Sequence, residues 1–172
     1  MQAQHDVAAL PAIELAAARL LEGDAPASVL VETTAEDELR RALKEERLWV
    51  ARAGDTPVGF ALAQLPSPGR AHLAEVDVLP SHGRRGLGAA LVLAVCDWAA
   101  RRGCAEITLT TFRDVPWNMP FYAKLGFVEI PAAELDAELA AIVRDEEARG
   151  LARERRVVMR RPLRSPEAAR PL

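Results

Sequence analysis

The stretch that most constrains the fold runs from Val76 to Gly88, Val-Asp-Val-Leu-Pro-Ser-His-Gly-Arg-Arg-Gly-Leu-Gly, and continues into an apolar run from Ala89 to Cys96. The β-branched residues stop at Pro80, glycines and arginines follow, and Leu87, Leu91, Val95 and Trp98 then recur at helical spacing. The pattern predicts a strand, a tight loop and a helix. Such a junction suits an anion, because the first N–H groups of a helix lack intrahelical partners and carry the positive end of its dipole. Gly83, Gly86 and Gly88 let the backbone take left-handed angles and approach a pyrophosphate, and Arg84 and Arg85 add charge. The glycine order, Gly-x-x-Gly-x-Gly, differs from the Gly-x-Gly-x-x-Gly of dinucleotide folds, and the lysine of a P-loop is absent.

With 172 residues, half of them hydrophobic, the chain is expected to form one domain over 1–163 with a flexible tail over 164–172. A formal net charge of −3 argues against a nucleic-acid binder. The arginines at 153, 155, 156, 160, 161 and 164 have no interleaved aromatics and read as a solvated strand face and frayed end. Cys96 and Cys104 suit buried reduced thiols, and His5, His72 and His82 show no metal-ligand spacing, so no metal is expected. No basic start precedes an apolar run and no run is long enough to span a membrane, which leads to the expectation of a cytoplasmic protein.

Val7, Leu10, Ile13, Ala17, Leu20 and Leu21 predict a first helix with Asp6 as N-cap and Gly23 as stop. Thr34 is expected to open a second helix carrying Leu39, Ala42 and Leu43. Leu48–Ala51 and Val58–Ala63 flank the turn cluster Gly54–Pro57 and predict a hairpin. A strand from His72 to Leu79 feeds the glycine loop, and after the loop helix Ile107–Phe112 alternates as another strand. A later helix is predicted from about Ala133 to Arg149, then a last strand over Arg156–Met159. Antiparallel strands first, then strand and helix in alternation, give a mixed α/β order.

The strand, turn and glycine spacing resemble the acyl-CoA signature of the GNAT superfamily of N-acyltransferases, Arg/Gln-x-x-Gly-x-Gly/Ala after a strand ending Val-x-Pro, with Gly83 standing where that family has Arg or Gln. A second stretch, Pro116 to Phe127, resembles the family segment in which a short helix carries a tyrosine and Lys-Leu-Gly-Phe leads back into a strand. Many members have an asparagine seven residues before that tyrosine; this chain has Val115 there, and Asn118 lies four before it. The resemblance covers roughly residues 6 to 163 and is closest to a subgroup of small bacterial enzymes. It implies the family fold, a central mostly antiparallel sheet flanked by helices, with only Met1 to His5 left for the usual first strand. It also implies acetyl-CoA as co-substrate, a small-molecule or peptide amine as acceptor, direct attack in a ternary complex, and a homodimer as a family habit.

Carried over residue by residue, the coenzyme would be held by Val76, Asp77, Val78, Gly83, Arg84, Arg85, Gly86, Leu87, Gly88, Ala89, Asn118 and Tyr122. Tyr122 would act as general acid, since an ordinary phenol of pKa about 10 can protonate a departing thiolate; the less favoured alternative is a tyrosine packed between Phe121 and Leu125 with its hydroxyl in solvent. Glu75 and Asp77 are two carboxylates at i and i+2 in a strand expected to be covered on both faces, where a charge without a task or partner is costly. Glu75 is the candidate base, against an ion pair of either carboxylate with Arg70 or Arg113. Trp117 and Trp49 are candidate acceptor contacts, with Phe60, Phe112 and Arg113 as further wall residues, and core or rim packing explains each as well. The rival readings are a non-catalytic acyl-CoA-binding module and a nucleotide-binding α/β protein.

Overall fold

The computed structural model describes residues 6–163. The expectations placed on Met1 to His5 and on the 164–172 tail lie outside the described residues. The chain divides into two compact units. One comprises the residues up to Gln64 together with Leu73–Val95; the other comprises Leu65–His72 and everything from Cys96 onward.

The first unit holds helices α1 (Leu10–Ala18) and α2 (Glu36–Lys44), strand β1 (Leu48–Ala53) and, up to Gln64, its hairpin partner β2 (Thr56–Ser67). It also holds the C-terminal part of β3 (Arg70–Val78) and the start of α3 (Leu87–Arg101). Gly54, at φ +60°, makes the hairpin turn, and the register pairs Leu48 with Leu62 and Val50 with Phe60. These residues share one face and meet Val7, Leu10 and Ile13 from the N-terminal segment and Leu39 and Ala42 from α2. Burying each large side chain contributes ~1.5–3 kcal/mol.

Both predicted helix caps are overturned. The Asp6 carboxylate pairs with the Arg52 guanidinium instead, and α1 starts after Ala9 with no side-chain cap. Helix α2 starts after Ala35, because Thr34 gives both its N–H (2.8 Å) and its hydroxyl (3.3 Å) to the Glu14 carboxylate.

The second unit contains β4 (Glu106–Phe112), α4 (Met119–Lys124), β5 (Val128–Glu129), α5 (Ala137–Ala148) and β6 (Arg156–Pro162). Arg70, Ala71 and His72 of β3 pair parallel with Glu106, Ile107 and Thr108. A parallel pair needs a long crossover, and α3 lies in that connection. Strand β6 runs antiparallel to β4 over its whole length and to β5. The six strands follow the order β1-β2-β3-β4-β6-β5, the mostly antiparallel mixed sheet with flanking helices that the sequence predicts. Helix α5 is shorter than its hydrophobic pattern because Asp136 caps it, accepting from the Leu139 N–H at 3.0 Å. Its Leu139 and Val143 pack on Ile130 and Val158.

Two charged networks tie this unit together. Arg70 donates to Glu106, Asp136 and Glu138, which joins strand, cap and helix. Arg156, expected to be solvated, is half-buried with its guanidinium over the Phe112 ring and forms a forked pair with Glu146 at 2.9 and 3.0 Å. No helix among the described residues is long and apolar enough to cross a membrane.

His72 is buried at the β3–β4 ladder, with Nδ1 2.9 Å from the Thr108 hydroxyl. Burial lowers its pKa to about 4, so the folded chain keeps it neutral where the unfolded chain would be protonated. Stability is therefore expected to fall as pH drops from about 6.5 to about 4, by about 3 kcal/mol at most. Denaturant unfolding of the protein and of His72→Gln checks this: the variant should lose that segment of the pH dependence.

Candidate functional site

The residues after β3 turn sharply. Pro80–His82 form one 3₁₀ turn, in which the His82 N–H donates to the Leu79 carbonyl at 2.8 Å and the Gly83 N–H to that of Pro80 at 3.2 Å. Gly83 is extended, and a Cβ there would lie 3.3 Å from the Pro80 carbonyl oxygen. Of the three loop glycines only Gly86 needs positive φ, at +82°, while Arg84 takes the same region at +58°. Gly88 is instead the second residue of α3. Residues 83 to 86 are exposed. The Gly86 carbonyl accepts from the Ala90 N–H at 2.9 Å, so Leu87, Gly88 and Ala89 precede the first α-helical bond and their N–H groups point out of the helix start. Arg84 and Arg85 flank that opening in sequence.

Beside the loop in the same unit lies the end of β3, where Glu75, Val76, Asp77 and Val78 are half-buried. Asp77 encloses one carboxylate oxygen, Oδ2, that meets no hydrogen-bond donor among the described residues. Burial and then the nearby Glu14 carboxylate push its pKa up to about 8. The Arg70 and Arg113 guanidinia, weighed from sequence as its partners, are engaged elsewhere, Arg113 with Glu129 at 2.6 Å. The Asp77 main chain abuts β2: a Cβ on Gly59 would stand 2.7 Å from the Asp77 carbonyl oxygen. The Leu79 N–H donates to Val58 at 2.8 Å across the same strands.

Glu14 is the residue that sequence reasoning missed. It sits four after Leu10 on the apolar side of α1 and is buried, and desolvation raises its pKa. A carboxylate inside a helix's apolar stripe was the available signal. Trp49 of β1 is half-buried, whereas Phe60 is fully enclosed core.

In the second unit, Pro120 occupies the first turn of α4. The Phe121 and Tyr122 N–H groups close that turn on the Asn118 carbonyl, at 3.0 and 3.1 Å. Tyr122 is half-buried, edge-on to Phe121 with centroids 5.0 Å apart and to Phe127 at 5.8 Å. Gly126, at φ +86°, lets the Phe127 N–H return to the Tyr122 carbonyl at 3.1 Å. Val115, standing where the family often has asparagine, is buried at 1% exposure. Trp117 is half-exposed at 52%, while Phe112 is core. A separate hollow of about 450 Å³ is lined by residues such as Glu147, Arg153 and Arg156, and of the candidate wall residues it includes Arg113 alone.

The chain is similar over 56 residues, at 39% identity, to glucosamine 6-phosphate N-acetyltransferase of Trypanosoma brucei brucei. That match spans about a third of either protein, 33% of this chain and 36% of the relative. Among solved structures it resembles PaiA N-acetyltransferase of Thermoplasma acidophilum in complex with coenzyme A. The TM-score is 0.71 at 17% identity, covering 92% of this chain and 94% of that one. It also resembles Ard1 of Thermoplasma volcanium, with TM-score 0.65, 18% identity and 94% of each chain covered. Both show a common fold at low identity. The model of the acetyltransferase (GNAT) family matches residues 16–127, from α1 through β3 and the glycine loop to the Lys-Leu-Gly-Phe turn. With well over half the chain inside that match, the protein belongs to the GNAT acetyltransferase family.

Proposed function

We propose that the protein is an N-acetyltransferase that moves the acetyl group of acetyl-CoA to a primary amine by direct attack. The observation that carries this reading is the exposed loop from Gly83 to Gly86 at the start of α3, with its outward N–H groups and two arginines. An anion there gains hydrogen bonds and the helix field together. The coenzyme complex of PaiA and the N-acetyltransferase relative support the same assignment.

In this mechanism the loop N–H groups with Arg84 and Arg85 hold the pyrophosphate, and the Val76 and Val78 main chain holds the pantetheine arm, one N–H polarising the thioester carbonyl. A carboxylate of β3 accepts the ammonium proton of the acceptor. We assign this task to Asp77, whose pKa is raised by burial and then by Glu14, because a proton acceptor works best with a pKa near the working pH; Glu75 is the other candidate. Tyr122 gives a proton to the departing thiolate, and Trp117 and Trp49 border the acceptor. The free buried thiols of Cys96 and Cys104 support a reducing compartment, the cytoplasm. A homodimer and the absence of a resident metal complete the proposal.

Calorimetry with acetyl-CoA and a thiol-release screen over amines test the reading. Gly86→Val, which forces a β-branched residue to positive φ, should weaken acetyl-CoA binding at least tenfold while the chain stays folded. Unchanged affinity would overturn the loop assignment. Binding without thiol release from any amine would favour a non-catalytic binding module.

A further inference from the structure

We propose that the hollow of the second unit is a ligand site, apart from acetyl transfer, for a free diamino acid of the lysine type, with two ammonium groups and one carboxylate on a methylene stem. Its volume of about 450 Å³ falls within the roughly 300–1,000 Å³ of small-molecule sites. The lining contains no residue of the glycine loop, of the end of β3 or of α4, and the site is independent of the acetyltransferase reading.

The floor is apolar. Ile130, Val143 and Val158 are buried together there, and Leu135 packs against them. The rim is charged, and most of its charges answer one another. Arg113 pairs with Glu129 and Arg156 with Glu146, while Arg155, one residue before, pairs with Asp114. Three exposed rim side chains stand outside these pairs: Glu147 in the last turn of α5, and Arg153 and Glu154 in the 3₁₀ turn Arg153–Arg155 that leads into β6. None of the three makes a side-chain hydrogen bond or ion pair among the described residues, although they carry opposite charges and line one hollow. Opposite charges held apart around one opening match a ligand that carries both signs.

The unanswered signs define that ligand. One guanidinium and two carboxylates call for one carboxylate and two cations. Glu147 adds a second reason for a cation, because the C-terminal end of a helix carries partial negative charge and the last turn of α5 holds no basic residue. Arg149, which follows that turn, does not line the hollow. Arg153 presents the forked donors that suit a carboxylate. Between these ends the apolar floor suits a run of methylenes, since a lysine stem covers apolar surface while its ammonium stays in water. A simple aliphatic anion would leave both glutamates unanswered, and a diamine would leave Arg153 so.

The test is titration calorimetry of the whole protein with lysine, without coenzyme. Lysine should bind saturably. Norleucine lacks the side-chain ammonium, 6-aminohexanoate the α-ammonium and 1,5-diaminopentane the carboxylate, and each should bind about tenfold more weakly or not at all. Arg153→Gln should lower lysine affinity about tenfold without weakening 1,5-diaminopentane, whereas Glu147→Gln should weaken both. The two side chains are exposed, so both variants should fold. Absence of lysine binding, equal affinity for lysine and norleucine, or wild-type lysine affinity in Arg153→Gln would overturn the proposal. Thiol release from lysine that falls in step with its binding in the two variants would make the hollow an acceptor site and overturn its separation from transfer. Loss of acetyl-CoA binding by the wild type would instead sink the acetyltransferase reading and leave the lysine titrations standing.

Discussion

Tyr122→Phe is expected to lower the turnover number of acetyl transfer by about 10²- to 10⁴-fold, with acetyl-CoA affinity held within a few-fold. The ring sits edge-on between Phe121 and Phe127, and phenylalanine keeps that packing while removing the proton donor. The proposed role is protonation of the leaving thiolate, which a phenol of pKa about 10 performs for a thiol of pKa about 8.5 without being ionised itself at neutral pH. A loss confined to the turnover number marks an interaction made in the transition state. Steady-state kinetics with an acceptor from the amine screen, alongside calorimetry of acetyl-CoA, make the comparison. Full turnover in the variant would remove Tyr122 from the chemistry and leave it as packing for the Lys-Leu-Gly-Phe turn.

Asp77→Asn should move stability and activity in opposite directions. The folded chain holds the Asp77 proton up to about pH 8, whereas an unfolded aspartate releases it at about 3.9. Between those values the folded state binds more protons, so the wild type loses stability as pH rises through this window. Asparagine carries no charge to desolvate, and the variant should therefore gain on the wild type with rising pH, by on the order of a few kcal/mol above pH 8. Turnover should collapse if Asp77 receives the ammonium proton. Denaturant unfolding at pH 5 and pH 8.5 reads the first effect and thiol release the second. A stability gap equal at the two pH values would mean that the carboxylate is not strained by its surroundings. Stability given up at a working residue is the usual trade between function and fold.

The parts legible in the sequence were those set by neighbouring residues. Pro80 ends a strand, Gly54 turns a hairpin, and the spacing from Leu87 to Trp98 makes a helix whatever lies opposite. What escaped was decided by partners far along the chain. Asp6 and Thr34 have the chemistry of helix caps, yet Arg52, 46 residues away, and Glu14, 20 residues away, claim them. Arg156 looked solvated because nothing near it in sequence reveals Glu146 on the preceding helix or the Phe112 ring. The carboxylates of β3 were visible as an anomaly in an apolar strand, but the enclosure that chiefly raises the pKa of Asp77, and the Glu14 carboxylate of α1 that adds to it, were not. Glycine spacing marked the turn between strand and helix, though the backbone spends its left-handed angles on Arg84 and Gly86 rather than on Gly83 or Gly88.

Gly59 lies in neither signature stretch, and its β2 position is ordinary extended backbone. Because any side-chain carbon there would collide with the Asp77 carbonyl, a saturation library at this position would return glycine alone. Its tolerance profile would look like that of a residue touching substrate. The constraint belongs to the seam between two strands, and it transmits to the carboxylate by fixing where the Asp77 backbone can lie. Relocating this activity onto another scaffold of the same topology would thus require copying a hydrogen atom on β2 that faces the main-chain carbonyl of the acidic residue, along with that residue itself.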